Sequence, residues 1–151
     1  MPSDDPRGSE RDIARALIAD TRVARLATVN PGLGVDVVPV TFALLDGGED
    51  APERIVTAVD HKPKSTTRLR RIRNISEHPD VTVLIDHYEN DWERLWWVRL
   101  RGRARIEAAG PVFEEAVDVL VDRYEQYERH RPVGPAIVIA VEEWTTWQAR
   151  P

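Results

Sequence analysis

The sequence predicts a small antiparallel β-barrel, mainly β within the α+β class, and three observations support this. Six short segments rich in β-branched and aromatic residues are separated by turn-forming residues. Helical periodicity is confined to three segments, one of which is a crossover helix. The regular strand–helix alternation of a doubly wound sheet is missing, and no Gly-x-Gly-x-x-Gly motif occurs.

The first elements follow from local signals. Proline, glycine and aspartate in residues 1–8 predict a flexible tail before a single domain over 9–151. Ser9 as N-cap and Asp12 at the capping-box position predict that a helix starts here. The predicted helices cover 10–20, 65–77 and 111–127, and the predicted strands cover 23–29, 35–45, 54–59, 81–86, 95–106 and 136–141, the last continuing to 147.

Two features of the predicted strands bear on function. The first two strands are joined by the turn 30–34 and form a hairpin, and a second turn covers 46–52. Pro39 lies inside the second strand, which is typical of an edge, a bulge or a place where another group approaches the backbone. The strand 95–106 alternates, with tryptophan and arginine side chains on one face and mostly apolar ones on the other.

Composition excludes several classes of protein. The chain has 151 residues, a net charge of −5 and no cysteine, so thiolate catalysis, disulfides and cysteine-based metal sites are excluded. The four histidines show no metal-binding spacing, and no metal is expected. The acidic balance argues against a nucleic-acid partner, and no apolar run is long enough to span a membrane. The N-terminus lacks the apolar core of a secretory signal, so a cytoplasmic location is expected.

One segment departs from the acidic balance. Six of the 21 basic residues fall between positions 62 and 73, and no acidic residue lies between Asp60 and Glu77. Lys62 and Lys64 flank Pro63 just before a helix that opens on hydroxyl residues. Because a helix N-terminus presents free N–H groups and the positive end of its dipole, the segment predicts a phosphate site. The alternative is a solvated basic helix.

Several segments, in order, resemble one protein family. They are Arg25-Leu26-Ala27-Thr28-Val29, Gly34 to Phe42 with its Asp36-Val37-Val38-Pro39-Val40-Thr41 core, and Arg73-Asn74-Ile75 followed by Pro79 and Val81 to Asp86. This set resembles the pyridoxamine 5′-phosphate oxidase-like split β-barrels, over residues 10–147. The block Asp91 to Arg99 further resembles an actinobacterial subgroup that uses the deazaflavin coenzyme F420 instead of FMN. The chain lacks the C-terminal Arg/His substrate motif of the vitamin B6 oxidases, which disfavours that activity.

The resemblance implies a split β-barrel of about six antiparallel strands with two or three flanking helices. It also implies a homodimer with cofactor sites at the subunit interface and a small-molecule substrate. The implied ring-lining residues are Val38, Pro39, Val40 and Thr41, with Thr57, Ala58 and Val59 along the ring and ribityl chain. Lys62, Lys64, Arg71 and Asn74 would serve the phosphate and tail.

Other side chains have two possible interpretations. Trp92, Trp96 and Trp97 form either a wall for the cofactor ring or substrate, or core and interface packing. The face formed by Arg99, Arg101, Arg103 and Arg105 is expected to pair with acidic residues of the third helix, namely Glu114, Glu115, Asp118 and Asp122, although it also suits a polyanionic cofactor tail. His61 is a further phosphate donor or an ordinary loop residue, and His87 is a candidate acid.

The leading functional hypothesis is an F420-dependent oxidoreductase that transfers a hydride between the deazaflavin and an activated double bond of a small substrate. Two alternatives stay open. One is an FMN-dependent reductase or oxidase of the same fold, and the other is a protein that binds F420 or a flavin without turnover. No catalytic side chain is assigned.

Overall fold

Within residues 6–46, 52–59 and 66–151, the residues that the computed structural model describes, one seven-stranded antiparallel sheet is flanked by four α-helices. Residues 6, 7 and 66–69 are described by their backbone only. The helices are α1 (Pro6–Ile18), α2 (Thr66–Glu77), α3 (Pro111–Arg123) and α4 (Glu125–Arg129), and the strands are β1 (Ala24–Asn30), β2 (Gly34–Val40), β3 (Ala43–Leu45), β4 (Arg54–Ala58), β5 (Asp80–His87), β6 (Trp96–Glu107) and β7 (Ala136–Gln148).

The strand order explains why the sheet curls into a barrel. The order is β2-β1-β5-β6-β7-β4-β3, so two strands that are consecutive in the chain lie at opposite edges. Only Thr41 and Phe42 separate β2 from β3, and this short link holds the two edges near each other without pairing them. The predicted split β-barrel is confirmed. It has seven strands instead of about six, because the predicted strand 35–45 divides at this link.

The predicted hairpin and its proline are also confirmed. β1 pairs with β2 along its whole length, from Ala24 opposite Val40 to Asn30 opposite Gly34. Pro39 of β2 lies opposite Arg25 of β1. Because β2 is an edge strand, the N–H group that Pro39 lacks costs the sheet little.

A β-bulge interrupts the longest strand pair. The β6–β7 register shifts between Arg101 and Gly102. A Cβ atom on Gly102 would lie 2.3 Å from the carbonyl oxygen of Ala140, so the close approach of the two strands requires glycine here.

Two hydrophobic clusters hold the helices to the sheet. The barrel interior, which includes Leu26, Phe42 and Ile139, also takes up Ile18 of α1 and Ile75 of α2. The second cluster packs α3 against β3, β4 and β7. α3 therefore lies outside the barrel, against these three strands.

Two predicted helix boundaries are wrong. α1 begins at Pro6, so residues 6–8 belong to the helix and not to a tail, because proline suits a first turn whose N–H groups have no helical partner. The predicted helix 111–127 divides at Tyr124, whose backbone is extended. The Tyr124 hydroxyl accepts a hydrogen bond from the Phe42 N–H (3.0 Å) and lies 2.8 Å from the Arg22 carbonyl oxygen. These contacts fix the break.

Candidate functional site

The centre of the predicted phosphate site lies outside the described residues. This applies to Lys62, Lys64 and the neighbouring His61. The described chain reaches this segment from both sides. Val59 is held at the end of β4 by its N–H, which donates to the Pro135 carbonyl oxygen (3.0 Å), and α2 begins at Thr66.

Arg71 on α2 carries a positive charge that no described residue balances. Its side chain is half-buried, and its buried Nε atom has no hydrogen-bond partner in the described part of the chain. Burial lowers the pKa of the Arg71 guanidinium from its ordinary value, because the charged form loses contact with water. A buried cation is costly unless an anion accompanies it. The side chain is therefore suited to receiving an anionic ligand.

Asn74, one turn further along α2, is already engaged by the barrel. It is 3% exposed, and its Nδ2 atom donates to Thr28 Oγ1 (3.0 Å) and to Asp36 Oδ2 (2.8 Å). The hydrogen bonds from Asn74 and from Asn30 lower the pKa of the Asp36 carboxyl from its usual value. The cluster ties α2 to the β1–β2 hairpin. A role for Asn74 at the cofactor stays a prediction.

The predicted ring-lining residues of β2 lie on an open sheet edge. Val38 and Val40 are half-buried and pack against the core, whereas Pro39 is exposed. Since β2 pairs only with β1, one row of its backbone groups faces away from the sheet. Thr41, just after the strand, has its hydroxyl 2.7 Å from the Tyr127 hydroxyl.

The cofactor-binding residues predicted at β4 are buried. Thr57 is 2% exposed, and its hydroxyl oxygen has no hydrogen-bond partner. Ala58 and Val59 are also buried. Val40 and Thr57 line the same small interior cavity, so the structure brings together residues from β2 and β4, strands that do not pair with each other.

Trp97 is separated from this group. It lies on β6, three strands from β2, which corresponds to roughly 14 Å at the usual strand spacing. There it lines a cavity of about 250 Å³ on the outer face of the sheet, together with Trp96, Trp147 and Tyr88. One chain therefore does not place Trp97 against the ring-lining residues of β2.

The expected pairing of the strand arginines with α3 is wrong. Asp118 and Glu114 instead accept hydrogen bonds from Arg131 (2.7 and 3.1 Å), and Glu115 lies 3.9 Å from Arg54. The reason is that α3 packs on β3 and β4.

On the outer face, Trp147 has no site role from the sequence, and Arg99 has only the alternative role of holding a polyanionic cofactor tail. Arg99 and Trp147 line the same cavity as Trp97. The β6–β7 register places Trp147 directly opposite Trp97 and Thr145 opposite Arg99. Period-two alternation in β7 was the available signal, but it does not give the register.

The described part of the chain contains no cluster of three or more potential metal-ligating side chains. None of its helices is long and apolar enough to cross a membrane.

Comparison with known proteins gives a family but no curated relative. The sequence profile described as pyridoxamine 5′-phosphate oxidase matches residues 11–148. No curated protein matches the chain in sequence.

Three solved structures illustrate the likeness of fold. A conserved hypothetical protein from Mycobacterium tuberculosis matches with a TM-score of 0.69 and 19% identity, covering 93% of this chain and 85% of that one. A heme binding protein from Mycobacterium smegmatis gives a TM-score of 0.68 and 20% identity, covering 93% and 58%. The heme storage protein HutZ from Vibrio cholerae gives a TM-score of 0.63 and 11% identity, covering 94% of each chain. At such identities the likeness concerns the fold alone.

Proposed function

Because the chain belongs to the pyridoxamine 5′-phosphate oxidase family, we propose that it is an oxidoreductase that uses coenzyme F420. It would transfer a hydride between the deazaflavin ring and an activated double bond of a small substrate. The block from Asp91 to Arg99, which resembles the F420-using subgroup, favours F420 over FMN.

The observation that carries the proposal is the unbalanced guanidinium of Arg71. F420 and FMN both bear a phosphate, and a phosphate would supply the negative charge and the hydrogen-bond acceptor that the half-buried Arg71 lacks among the described residues. The Thr57 hydroxyl is a second buried polar group without a partner. Lys62 and Lys64, which lie between β4 and α2 in the sequence, would add charge to the same end of the cofactor.

The open edge of β2 supports a place for the ring. Backbone N–H and C=O groups that face away from β1 can pair with the polar edge of a tricyclic ring, and Pro39 removes one N–H from this row. The half-buried Val38 and Val40 would provide an apolar surface that excludes water from one side of the ring, and the buried Ala58 and Val59 would support this part of the barrel.

When bound, F420 would supply hydride transfer at C5 of the deazaflavin ring. The residues of this chain would bind the phosphate, orient the ring along β2 and β4, and keep water away. Backbone N–H groups near the ring would also stabilise negative charge that develops there.

We further propose that the protein is a homodimer formed through the outer face of the sheet. This face exposes Val35, Val37 and Leu84, which are 61%, 60% and 36% exposed, and it carries the cavity of Trp97. A second copy would cover these side chains. It would also bring its own Trp97 toward the β2 edge, which the tryptophan of the same chain does not reach.

The test of the cofactor is a parallel titration of the protein with F420, FMN and hemin, followed by ligand fluorescence or absorbance. Hemin is included because two structural neighbours are named for heme. We expect F420 to bind most tightly. Arg71→Gln should weaken its binding about tenfold, since a charge-assisted contact is lost. The matched control is Arg73→Gln, because Arg73 is exposed on the same helix and already paired with Glu77 (3.3 Å).

The outcomes separate the alternatives. Tighter binding of FMN would place the protein among the FMN-dependent enzymes, and preference for hemin would overturn the oxidoreductase proposal. Equal effects of the Arg71 and Arg73 variants would remove Arg71 from the site. If F420 binds but reduced F420 is not oxidised by any acceptor with an activated double bond, the protein binds the cofactor without turnover.

Light scattering tests the dimer. We expect about 34 kDa, twice the 17.2 kDa of one chain. Val37→Glu should give a monomer, because it places a charge in the apolar face. Ile13→Glu is the control, since Ile13 is an exposed apolar residue on α1. A monomeric wild-type protein would refute an interfacial site.

A further inference from the structure

The cavity on the outer face of the sheet has walls suited to a flat ligand. It has a volume of about 250 Å³ and is lined by Trp96, Trp97, Trp147 and Tyr88, with Leu84 and Leu95 as aliphatic contacts. Aromatic walls favour planar aromatic ligands through offset stacking and edge contacts. The volume lies below the range of roughly 300–1,000 Å³ typical of drug-sized ligands, so it suits a molecule of one or two fused rings.

The charges that line the cavity do not cancel. Asp86 is paired with Arg25, whose Nη1 donates to Asp86 Oδ1 at 2.7 Å. The Nε2 atom of His87 is hydrogen-bonded to Glu89. Arg99, in contrast, has no ion-pair partner among the described residues, and its buried Nε atom makes no hydrogen bond. Arg99 therefore leaves one uncompensated positive charge at the aromatic cavity.

The position of this cation narrows the ligand class further. The Arg99 guanidinium carbon lies 5.5 Å from the centre of the Trp97 ring. The ring face that would attract a cationic ligand is therefore already occupied by a cation of the protein, which repels a second one. An apolar ligand would leave the buried Nε without a partner, at a cost in free energy, and a neutral acceptor would leave the charge of Arg99 unbalanced. An anionic group would both balance the positive charge of Arg99 and accept a hydrogen bond from its Nε atom.

We propose that this cavity binds a planar aromatic anion, of the aryl carboxylate class, with Arg99 as its charge partner. This makes planar aromatic anions the substrate class of the oxidoreductase, a step that rests on the function proposed above. The cavity shares a sheet face with the predicted ring-lining strand, because Pro39, Arg25, Leu84 and Arg99 are successive cross-strand partners.

The experiment compares two isosteric probes on the full-length protein. 2-Naphthoate carries the carboxylate, and 2-naphthamide replaces it with a neutral group of similar shape. Binding is followed by quenching of tryptophan fluorescence and checked by calorimetry. We expect 2-naphthoate to bind at least about tenfold more tightly, because its carboxylate forms an ion pair with the Arg99 guanidinium that the neutral amide cannot form.

Variants assign the preference to one side chain. In Arg99→Gln the ratio of the two affinities should fall to about one. Arg101→Gln is the matched control, because Arg101 is an exposed arginine on the same face of the same strand, outside the cavity. It should keep the wild-type ratio. Equal affinity of the two probes for the wild-type protein, or equal effects of the two variants, would overturn the proposal.

A cofactor titration of the same variants separates this inference from the proposed function. Retention of F420 affinity by Arg99→Gln, together with loss of the naphthoate preference, supports a ligand site distinct from that of the cofactor. Loss of F420 affinity in Arg99→Gln, or displacement of 2-naphthoate by F420, would assign the cavity to the cofactor and overturn the inference. If F420 does not bind the wild-type protein while the naphthoate pattern holds, the anion site stands and the proposed oxidoreductase fails.

Discussion

Arg71 and Arg123 are half-buried arginines at two ends of the barrel, and their surroundings differ. The Nε atom of each is buried without a hydrogen-bond partner. Arg123, at the end of α3, nevertheless donates from Nη2 to the carbonyl oxygens of Ile18 (3.1 Å) and Thr21. Its guanidinium also lies 4.6 Å from the centre of the Phe42 ring. Arg71 has no such partner among the described residues.

The difference indicates which charge is structural. At the α3 end, the chain itself supplies acceptors and an aromatic face, so Arg123 joins α1 to the barrel. At the α2 end, the Arg71 cation is half-buried at a cost in free energy, and the described residues make no contact with it that offsets this cost. Such a cost is typical of sites where a ligand completes the arrangement. Mutation of each arginine therefore compares a structural charge with a charge available to a ligand.

The largest effect is expected for Arg123→Met. It removes two hydrogen bonds from a charged donor and a cation–π contact, while methionine keeps most of the side-chain volume. We expect the free energy of unfolding to fall by about 2 kcal/mol, measured by urea denaturation. F420 affinity should not change. An unaltered denaturation midpoint would show that the Arg123 contacts add nothing to stability.

Arg71→Met should behave in the opposite way without cofactor. Removal of an unbalanced buried cation should leave the free energy of unfolding unchanged or raise it by about 1 kcal/mol. With F420 at a hundred times its Kd, the wild-type protein should gain about 2.7 kcal/mol, and the variant much less. If cofactor-free Arg71→Met lost as much stability as Arg123→Met, Arg71 would be a structural charge like Arg123.

The fold was predictable to a large extent because its signals are local. Alternation in the β6 segment, Pro39 at an edge and the turn before Gly34 each depend on neighbouring residues. The break at Tyr124 was not predictable, because its cause is the contact of the hydroxyl with Phe42, 82 residues away. The number of strands also depended on a distant constraint, the joining of the two sheet edges through Thr41 and Phe42.

The candidate site was predictable as a list of residues but not as an arrangement. The sequence points to Arg71 as a basic residue, yet its burial without a partner depends on how α2 packs. The sequence also suggested that Arg99 pairs with α3, and only the sheet order places that helix elsewhere. The register that brings Trp147 beside Trp97 follows from the bulge at Gly102, which alternation alone does not locate.

The smallest effect concerns the contact that holds α2 to the hairpin. Hydrogen bonds from Asn74 and Asn30 lower the pKa of Asp36 in the folded protein below its usual 3.8. The ionised carboxylate therefore stabilises the fold above that value, and this contribution is lost as the pH falls below it through the folded-state pKa. Asp36→Asn should reduce stability at pH 7 and approach the wild-type protein as the pH falls through the folded-state pKa, as measured by urea denaturation across pH. Asp122→Asn, at an exposed position on α3, is the control. A deficit of Asp36→Asn that persists undiminished at low pH would mean that the loss comes from packing and not from the charge of Asp36.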